Sequence, residues 1–148
     1  MVYKRVILKR GKEESLKRFH PWVFSGAIAR MDNIEEGDLV TVYDHEGNLI
    51  GNGHYQIGSI AVRILTFDDT EIDSAFFVKR LTEAFKMRQA LGLSRPDNNA
   101  FRLVHGEGDF LPGLVVDIYG STAVMQAHSP GMHFARNLIA DALTQLPN

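Results

Sequence analysis

The spacing of apolar residues changes once along this chain, near Asp73. Before that point, stretches such as 38–44 and 60–67 alternate apolar and polar residues, and turn-forming residues separate them. After it, residues 77–91 carry apolar side chains three and four positions apart, which is the spacing of an amphipathic helix. Several short strands joined by turns predict a small barrel or sandwich, and the new spacing predicts a second, mixed lobe.

The predicted fold class is therefore α+β, with a small β-barrel over residues 1–73 and a compact α+β lobe, containing strands and two helices, over residues 74–148. Gly51 and Gly53 lie inside a predicted strand, so we expect a bulge or a close backbone approach there. The individual elements are predicted as strands at 2–9, 38–44, 60–67, 101–105, 114–119 and 122–127, with a further strand that returns from the 45–48 turn at Leu49 and contains the two glycines. Helices are predicted at 12–18, 73–91 and 132–146.

Composition excludes several classes of protein. With 45% hydrophobic and 23% charged residues, a chain of 148 residues can bury a core, which excludes general disorder. The absence of cysteine excludes disulfides, thiolate zinc sites and a cysteine nucleophile within these residues, and it favours a reducing cytoplasm. Apolar runs such as 114–118 fall far short of the about 20 residues that a membrane helix needs, so no membrane partner is expected.

Charge is distributed unevenly along the chain. Residues 1–30 contain eight basic and two acidic side chains, whereas residues 31–73 contain one basic and ten acidic side chains. A basic first segment on an otherwise acidic chain is typical of a contact with a polyanion, and a solvated surface is the alternative. The sequence leaves these two interpretations open.

The densest group of functional side chains is His105, Glu107 and Asp109, which alternate with glycines. In an extended strand the three would share one face and could bind a metal ion. Gly106 and Gly108 favour a bent loop instead, so the sequence predicts a loop and no metal site. No serine lies in a Gly-x-Ser-x-Gly elbow and no glycine-rich turn joins a strand to a helix, so no catalytic or cofactor-binding residue is predicted.

Residues 20–26 follow the basic segment and contain the only tryptophan. Aromatic side chains next to Arg and Lys are typical of surfaces that bind single-stranded or bulged RNA. However, Trp22 and Phe24 alternate with Val23, which favours the interpretation that both aromatic side chains fill the barrel core. The predicted RNA contacts in this segment are therefore Arg10, Lys12, Lys17 and Arg18.

Three stretches of the sequence together resemble one known family. They are RFHPWVFSGAI at 18–28, GxGxY at 51–55 followed by RxL at 63–65, and FRLVHGEGDFLPGLVVDxYG at 101–120. In this order they resemble the N-terminal half of the bacterial PUA-containing ribosomal RNA large-subunit methyltransferases, which make 5-methylcytosine from S-adenosylmethionine. The most specific part of the resemblance is the stretch from 102 to 117.

In that family a PUA barrel precedes a small α+β lobe, and a Rossmann-like methyltransferase domain follows. The resemblance thus implies that residues 1–73 hold or orient large-subunit ribosomal RNA. It implies that residues 74–148 form a linking lobe at the substrate cleft, with Arg102 as a phosphate or base contact. S-adenosylmethionine is implied as the cofactor of the full-length parent.

The family pattern is incomplete in these residues. The cofactor loop, the acidic residue that binds the ribose and the cysteine that attacks cytosine C6 are all missing. We therefore expect no Rossmann domain, no bound cofactor and no catalysis in this segment alone. The predicted function is the RNA-recognition half of a methyltransferase; a stand-alone PUA-type RNA-binding module and an interaction scaffold are the alternatives.

Overall fold

The computed structural model describes residues 2–146, which form nine strands and four helices. The strands are β1 Lys4–Leu8, β2 Trp22–Phe24, β3 Ile28–Met31, β4 Leu39–Tyr43, β5 Leu49–Tyr55, β6 Ile60–Thr66, β7 Ala100–His105, β8 Leu114–Tyr119 and β9 Thr122–Ala127. The helices are α1 Glu14–Lys17, α2 Ser74–Ala90, α3 Pro130–Phe134 and α4 Arg136–Leu143. No helix within residues 2–146 has the length and apolar character needed to span a membrane.

The first six strands form one curled sheet in the order β2-β6-β5-β4-β1-β3. All pairs are antiparallel except β1 with β4. Alternate residues of these strands point inward and make a core from Val6, Leu8, Val23, Val40, Val42, Val62 and Ile64. The sheet is a half-barrel with β2 and β3 at its edges, which confirms the predicted α+β fold that begins with a small barrel.

Two glycines bring β5 and β6 close together, as the sequence predicted. A Cβ atom on Gly53 would lie 2.2 Å from the carbonyl oxygen of Arg63, and one on Gly51 would lie 2.2 Å from that of Thr66. The pairing of the two strands also shifts by a residue between Asn52 and Gly53. Any larger residue at either glycine would push the strands apart.

The prediction that Trp22 and Phe24 fill the barrel core is wrong. Strand β2 has three residues, and adjacent residues of a strand face opposite sides of the sheet. Val23 faces the core and is 2% exposed, so its two neighbours face outward; Phe24 is 49% exposed and Trp22 is half-buried. The alternation was recognised correctly, but the wrong face was assigned to the interior.

The second lobe packs helices α2 and α4 on one face of the antiparallel sheet β7-β8-β9. Helix α2 begins where the sequence predicted, because the Asp73 side chain accepts a hydrogen bond of 3.0 Å from the amide of Phe76. The core of this lobe contains Phe77, Leu81, Leu103, Leu111, Leu114, Val116, Met132 and Ile139. The opposite face of the sheet is open.

The predicted final helix, 132–146, is divided in the structure into α3 and α4, so the lobe has three helices instead of the two predicted. The first helix starts earlier than predicted because Ser129 caps it through the amide of Met132. The two helices face different partners, since α3 contacts β5 of the half-barrel whereas α4 packs against α2. One straight helix could not present its apolar side to both.

The half-barrel and the lobe are packed against each other. In α3, a Cβ atom on Gly131 would lie 2.1 Å from Cγ of His54, a buried residue of β5. The segment between β6 and α2 is held from the half-barrel side, because the Tyr3 hydroxyl accepts a hydrogen bond of 2.9 Å from the amide of Ile72. Ile72 and Leu65 also join the core of the lobe.

Candidate nucleic-acid interface

Four basic side chains cluster in sequence around α1, between β1 and β2. Leu16 anchors this helix because it is buried against the half-barrel core. The chain just before the turn that leads into this helix lies beside the start of β3, since the amide of Lys9 donates a hydrogen bond of 2.8 Å to the carbonyl of Ala27. All four side chains are exposed, and we call them the cation patch: Arg10, Lys12, Lys17 and Arg18.

The cation patch differs in its pairing from Lys4 and Arg5, the basic residues of β1. Lys4 forms an ion pair of 3.0 Å with Asp38, and Arg5 forms one of 3.4 Å with Asp32. Within residues 2–146, the side chains of the cation patch form no hydrogen bond and no ion pair. Their charge is therefore available to a polyanion, whereas that of Lys4 and Arg5 is matched.

The carboxylates of the acidic segment 31–73 stabilise turns and strand connections. The backbone amide of Arg5 lowers the pKa of Asp32, and the amide of Asn48 lowers that of Asp44, since each carboxylate accepts these hydrogen bonds. Hydrogen bonds from the hydroxyl of Thr66 lower the pKa of Asp68 in the same way. Because each of these three carboxylates has local hydrogen-bond donors, part of the negative charge of this segment has a structural use.

An aromatic row lies next to the cation patch in sequence, on the edge strand β2. The ring of Trp22 meets the rings of His20 and Phe24 edge to face, at centroid distances of 5.5 and 6.3 Å. The indole Nε1–H donates a hydrogen bond of 2.7 Å to Glu107 of the second lobe. The sequence prediction placed Trp22 and Phe24 inside the barrel, so this row was missed; the alternation alone does not show which face of β2 is buried.

The segment Gly106–Asp109, which directly follows β7, is a short 3₁₀ turn. Asp109 is held by Arg88 of α2, with 2.8 Å between Nη2 and Oδ2, and it accepts a hydrogen bond of 2.7 Å from the amide of His105. Glu107 points to Trp22 instead of converging with Asp109. In the part of the chain that the structure describes, no group of three His, Asp or Glu residues is placed to hold a metal ion.

Arg102 lies apart from the cation patch, on β7 of the second sheet. Its Nε and Nη2 donate hydrogen bonds of 2.8 and 3.2 Å to the two carboxylate oxygens of Asp117, which lowers the pKa of Asp117. Its Nη1 lies 3.2 Å from Nδ1 of His105. The guanidinium charge is thus matched within the protein, unlike the charge of the four cations around α1.

A cleft of about 250 Å³ separates the half-barrel from the second lobe. Arg63 lines it from strand β6 of the half-barrel, where it is paired in register with Trp22. His105, Glu107 and His128 line it from the lobe, and Val115 contributes apolar surface. We call this space the interlobe cleft.

Comparison with known proteins shows what the first lobe resembles. Residues 6–67 match the family model of a PUA-like domain. The chain is also 41% identical over 145 residues to the ribosomal RNA large subunit methyltransferase I of Escherichia coli, and 40% identical over 148 residues to the protein of that name from Klebsiella pneumoniae. These alignments cover 96% and 98% of this chain but only 36% and 37% of the relatives. The chain therefore spans little more than a third of their length.

Solved structures share the whole arrangement of half-barrel and lobe. A chain from Streptococcus mutans described as a SAM-dependent methyltransferase superposes with a TM-score of 0.82 over 99% of this chain and 38% of its own length, at 18% identity. A methyltransferase complexed with SAH superposes equally well over 99% of this chain and 37% of its length. At this level of identity, the likeness shows the fold alone.

Proposed function

We propose that this chain is the RNA-recognition part of a SAM-dependent methyltransferase that modifies large-subunit ribosomal RNA. The observation that carries the proposal is the cation patch, whose four unpaired charges lie on a PUA-like half-barrel. Cations that meet phosphates release condensed counterions, which supplies much of the free energy of RNA binding. The curated relatives are named as ribosomal RNA large subunit methyltransferases, which supports ribosomal RNA as the class of RNA that is bound.

The proposal assigns a different role to each of the two lobes. Residues 1–73 hold the RNA through the cation patch, and residues 74–148 link this unit to the catalytic machinery of the parent enzyme. Cytosine C5 is the proposed target, S-adenosylmethionine the proposed methyl donor of the parent, and the cytoplasm the proposed location. Activation of C5 in this family needs a cysteine that attacks C6, and these residues contain none, so this segment alone is proposed to be inactive.

Charge reversal within the cation patch tests the RNA contact. The double variant Lys12→Glu, Arg18→Glu should weaken binding to large-subunit ribosomal RNA fragments, measured by fluorescence anisotropy over a range of salt concentrations. Two lost phosphate contacts should reduce the slope of log affinity against log salt by roughly 1.4 for single-stranded RNA. The matched control is Lys86→Glu, an exposed lysine on α2 outside the patch. Unchanged affinity in the double variant would leave the patch as a solvated surface and contradict the proposal.

A calorimetric titration with S-adenosylmethionine tests the second part. We expect no heat of binding to the 148-residue protein, because the family's cofactor loop is missing from its sequence. Stoichiometric binding would show that these residues contain a cofactor site and would overturn the proposed division of labour.

A further inference from the structure

The cation patch is proposed to contact phosphates, and the interlobe cleft is a separate feature of the molecule. We propose that the interlobe cleft binds one unpaired base of the RNA, which rests on the proposed function of this chain as an RNA-binding unit. Sequence-specific recognition of RNA commonly uses unpaired bases that leave the stack and enter protein pockets. The cation patch would then hold the backbone while the cleft reads a base.

The size and lining of the cleft suit a single base. Its volume of about 250 Å³ lies just below the range of about 300–1,000 Å³ that is usual for drug-sized ligands. Val115 provides apolar surface for the flat face of a ring, and polar groups lie around it. Arg63 contributes a guanidinium from the half-barrel side, although one of its N–H groups is already bonded to Gln56.

Hydrogen bonds within the lobe fix what the two histidines offer. A guanidinium can only donate, so the contact from Arg102 makes Nδ1 of His105 the acceptor and leaves its Nε2–H as a donor. Nε2 of His128 lies 3.2 Å from Oε1 of Gln126 and donates to it, which leaves Nδ1 of His128 as an acceptor. The cleft therefore offers a donor and an acceptor, the pair of groups that the Watson–Crick edge of a base requires.

The charges at the cleft favour a base over a phosphate. The carboxylate of Glu107 is bonded to the indole N–H of Trp22, and Asp117 is matched by Arg102. Arg63 is then the main charged donor at the cleft, beside a carboxylate that would repel a phosphate. The cleft and the cation patch thus predict different signatures, since base contacts change sequence preference and phosphate contacts change the dependence on salt.

The test compares binding of four RNA homopolymers of equal length, poly(A), poly(C), poly(G) and poly(U), to the 148-residue protein. His105→Ala and His128→Ala should each weaken binding of the preferred homopolymer by about tenfold and reduce the preference, since each variant removes one contact with the base. The salt slope should stay unchanged, because no phosphate contact is lost. His45→Ala is the matched control: this exposed histidine lies in the β4–β5 turn, at the end of β5 away from His54, the pairing partner of Arg63.

A measurement on the unmodified protein makes the test independent of the variants. In an NMR titration with the preferred homopolymer, the ring signals of His105 and His128 should shift. If the cation-patch variants weaken binding but the histidine variants and ring signals are unaffected, the base site is wrong and the proposed function stands. Equal losses on all four homopolymers with a lower salt slope would identify a phosphate contact and overturn the base site. No RNA binding by the unmodified protein at low salt would overturn both.

Discussion

His54 makes the stability of this protein depend on pH. Burial in β5 under α3 lowers its pKa to about 4, because the charged imidazolium would lose its hydration. The unfolded chain takes up the proton near the ordinary value of about 6.5, so acid favours unfolding. The contribution of His54 is complete above pH 6.5 and should fall by about 3 kcal/mol as the pH drops to 4.

Urea unfolding at a series of pH values checks this prediction. The His54→Gln variant cannot titrate there and should lose this part of the pH dependence, whatever its absolute stability. His45→Gln, a change at an exposed histidine, should keep it. If wild type and His54→Gln have parallel profiles between pH 6.5 and 4, then burial of His54 is not the cause.

Arg102 could act by contacting RNA or by positioning His105, and one conservative substitution distinguishes these two roles. The family resemblance implies that Arg102 contacts a phosphate or a base. However, its guanidinium N–H groups already donate to the carboxylate of Asp117 and to Nδ1 of His105. In Arg102→Lys the positive charge remains, and the bidentate geometry is lost. If Arg102 acts by positioning His105, this variant should lose homopolymer preference in the anisotropy assay with an unchanged salt slope. Full retention of preference would refute a positioning role.

Among the elements, the turn at 106–109 depends on one buried ion pair. Asp109 and Arg88 have only 3% and 12% of their side chains exposed, so Asp109→Ala would leave a buried guanidinium unmatched. We expect a loss of about 3–5 kcal/mol in the free energy of unfolding. Asp97→Ala removes an exposed partner of Arg95 and should cost less than about 1 kcal/mol. Equal midpoints in urea for the two variants would contradict this difference.

Elements with a regular pattern and clear end signals were predicted well from the sequence. Strands β8 and β9 have the bounds that were predicted, and α2 starts at its Asp73 cap, because local turn and capping residues determine these ends. The face of β2 and the break between α3 and α4 were not predictable, since both depend on which partner each side packs against. The same limit applies to the candidate site: the exposed cations follow from the sequence, but their lack of partners and the interlobe cleft do not.

Across the whole molecule, basic residues differ in whether an acidic side chain pairs with them. Carboxylates of the acidic segment accept hydrogen bonds from turn amides and pair with Lys4 and Arg5. The net charge of −2 therefore conceals the cation patch, whose side chains form no ion pair within residues 2–146. A polyanion can approach these cations although the chain as a whole is acidic. The net charge alone would have argued against RNA as a partner.

The contacts between half-barrel and lobe also predict that the two unfold together. Trp22 is the only tryptophan, and its hydrogen bond to Glu107 crosses the interface, so its fluorescence reports on that interface. Fluorescence and far-ultraviolet circular dichroism should therefore give coincident urea transitions. Gly131→Ala places a methyl group against His54 and should lower the midpoint by an amount equivalent to about 1–3 kcal/mol, whereas Gly26→Ala, which has open space around it, should not. A fluorescence transition that precedes the loss of secondary structure in the wild type would show two independent units, and the interlobe cleft would then lack the rigid walls that a base site needs.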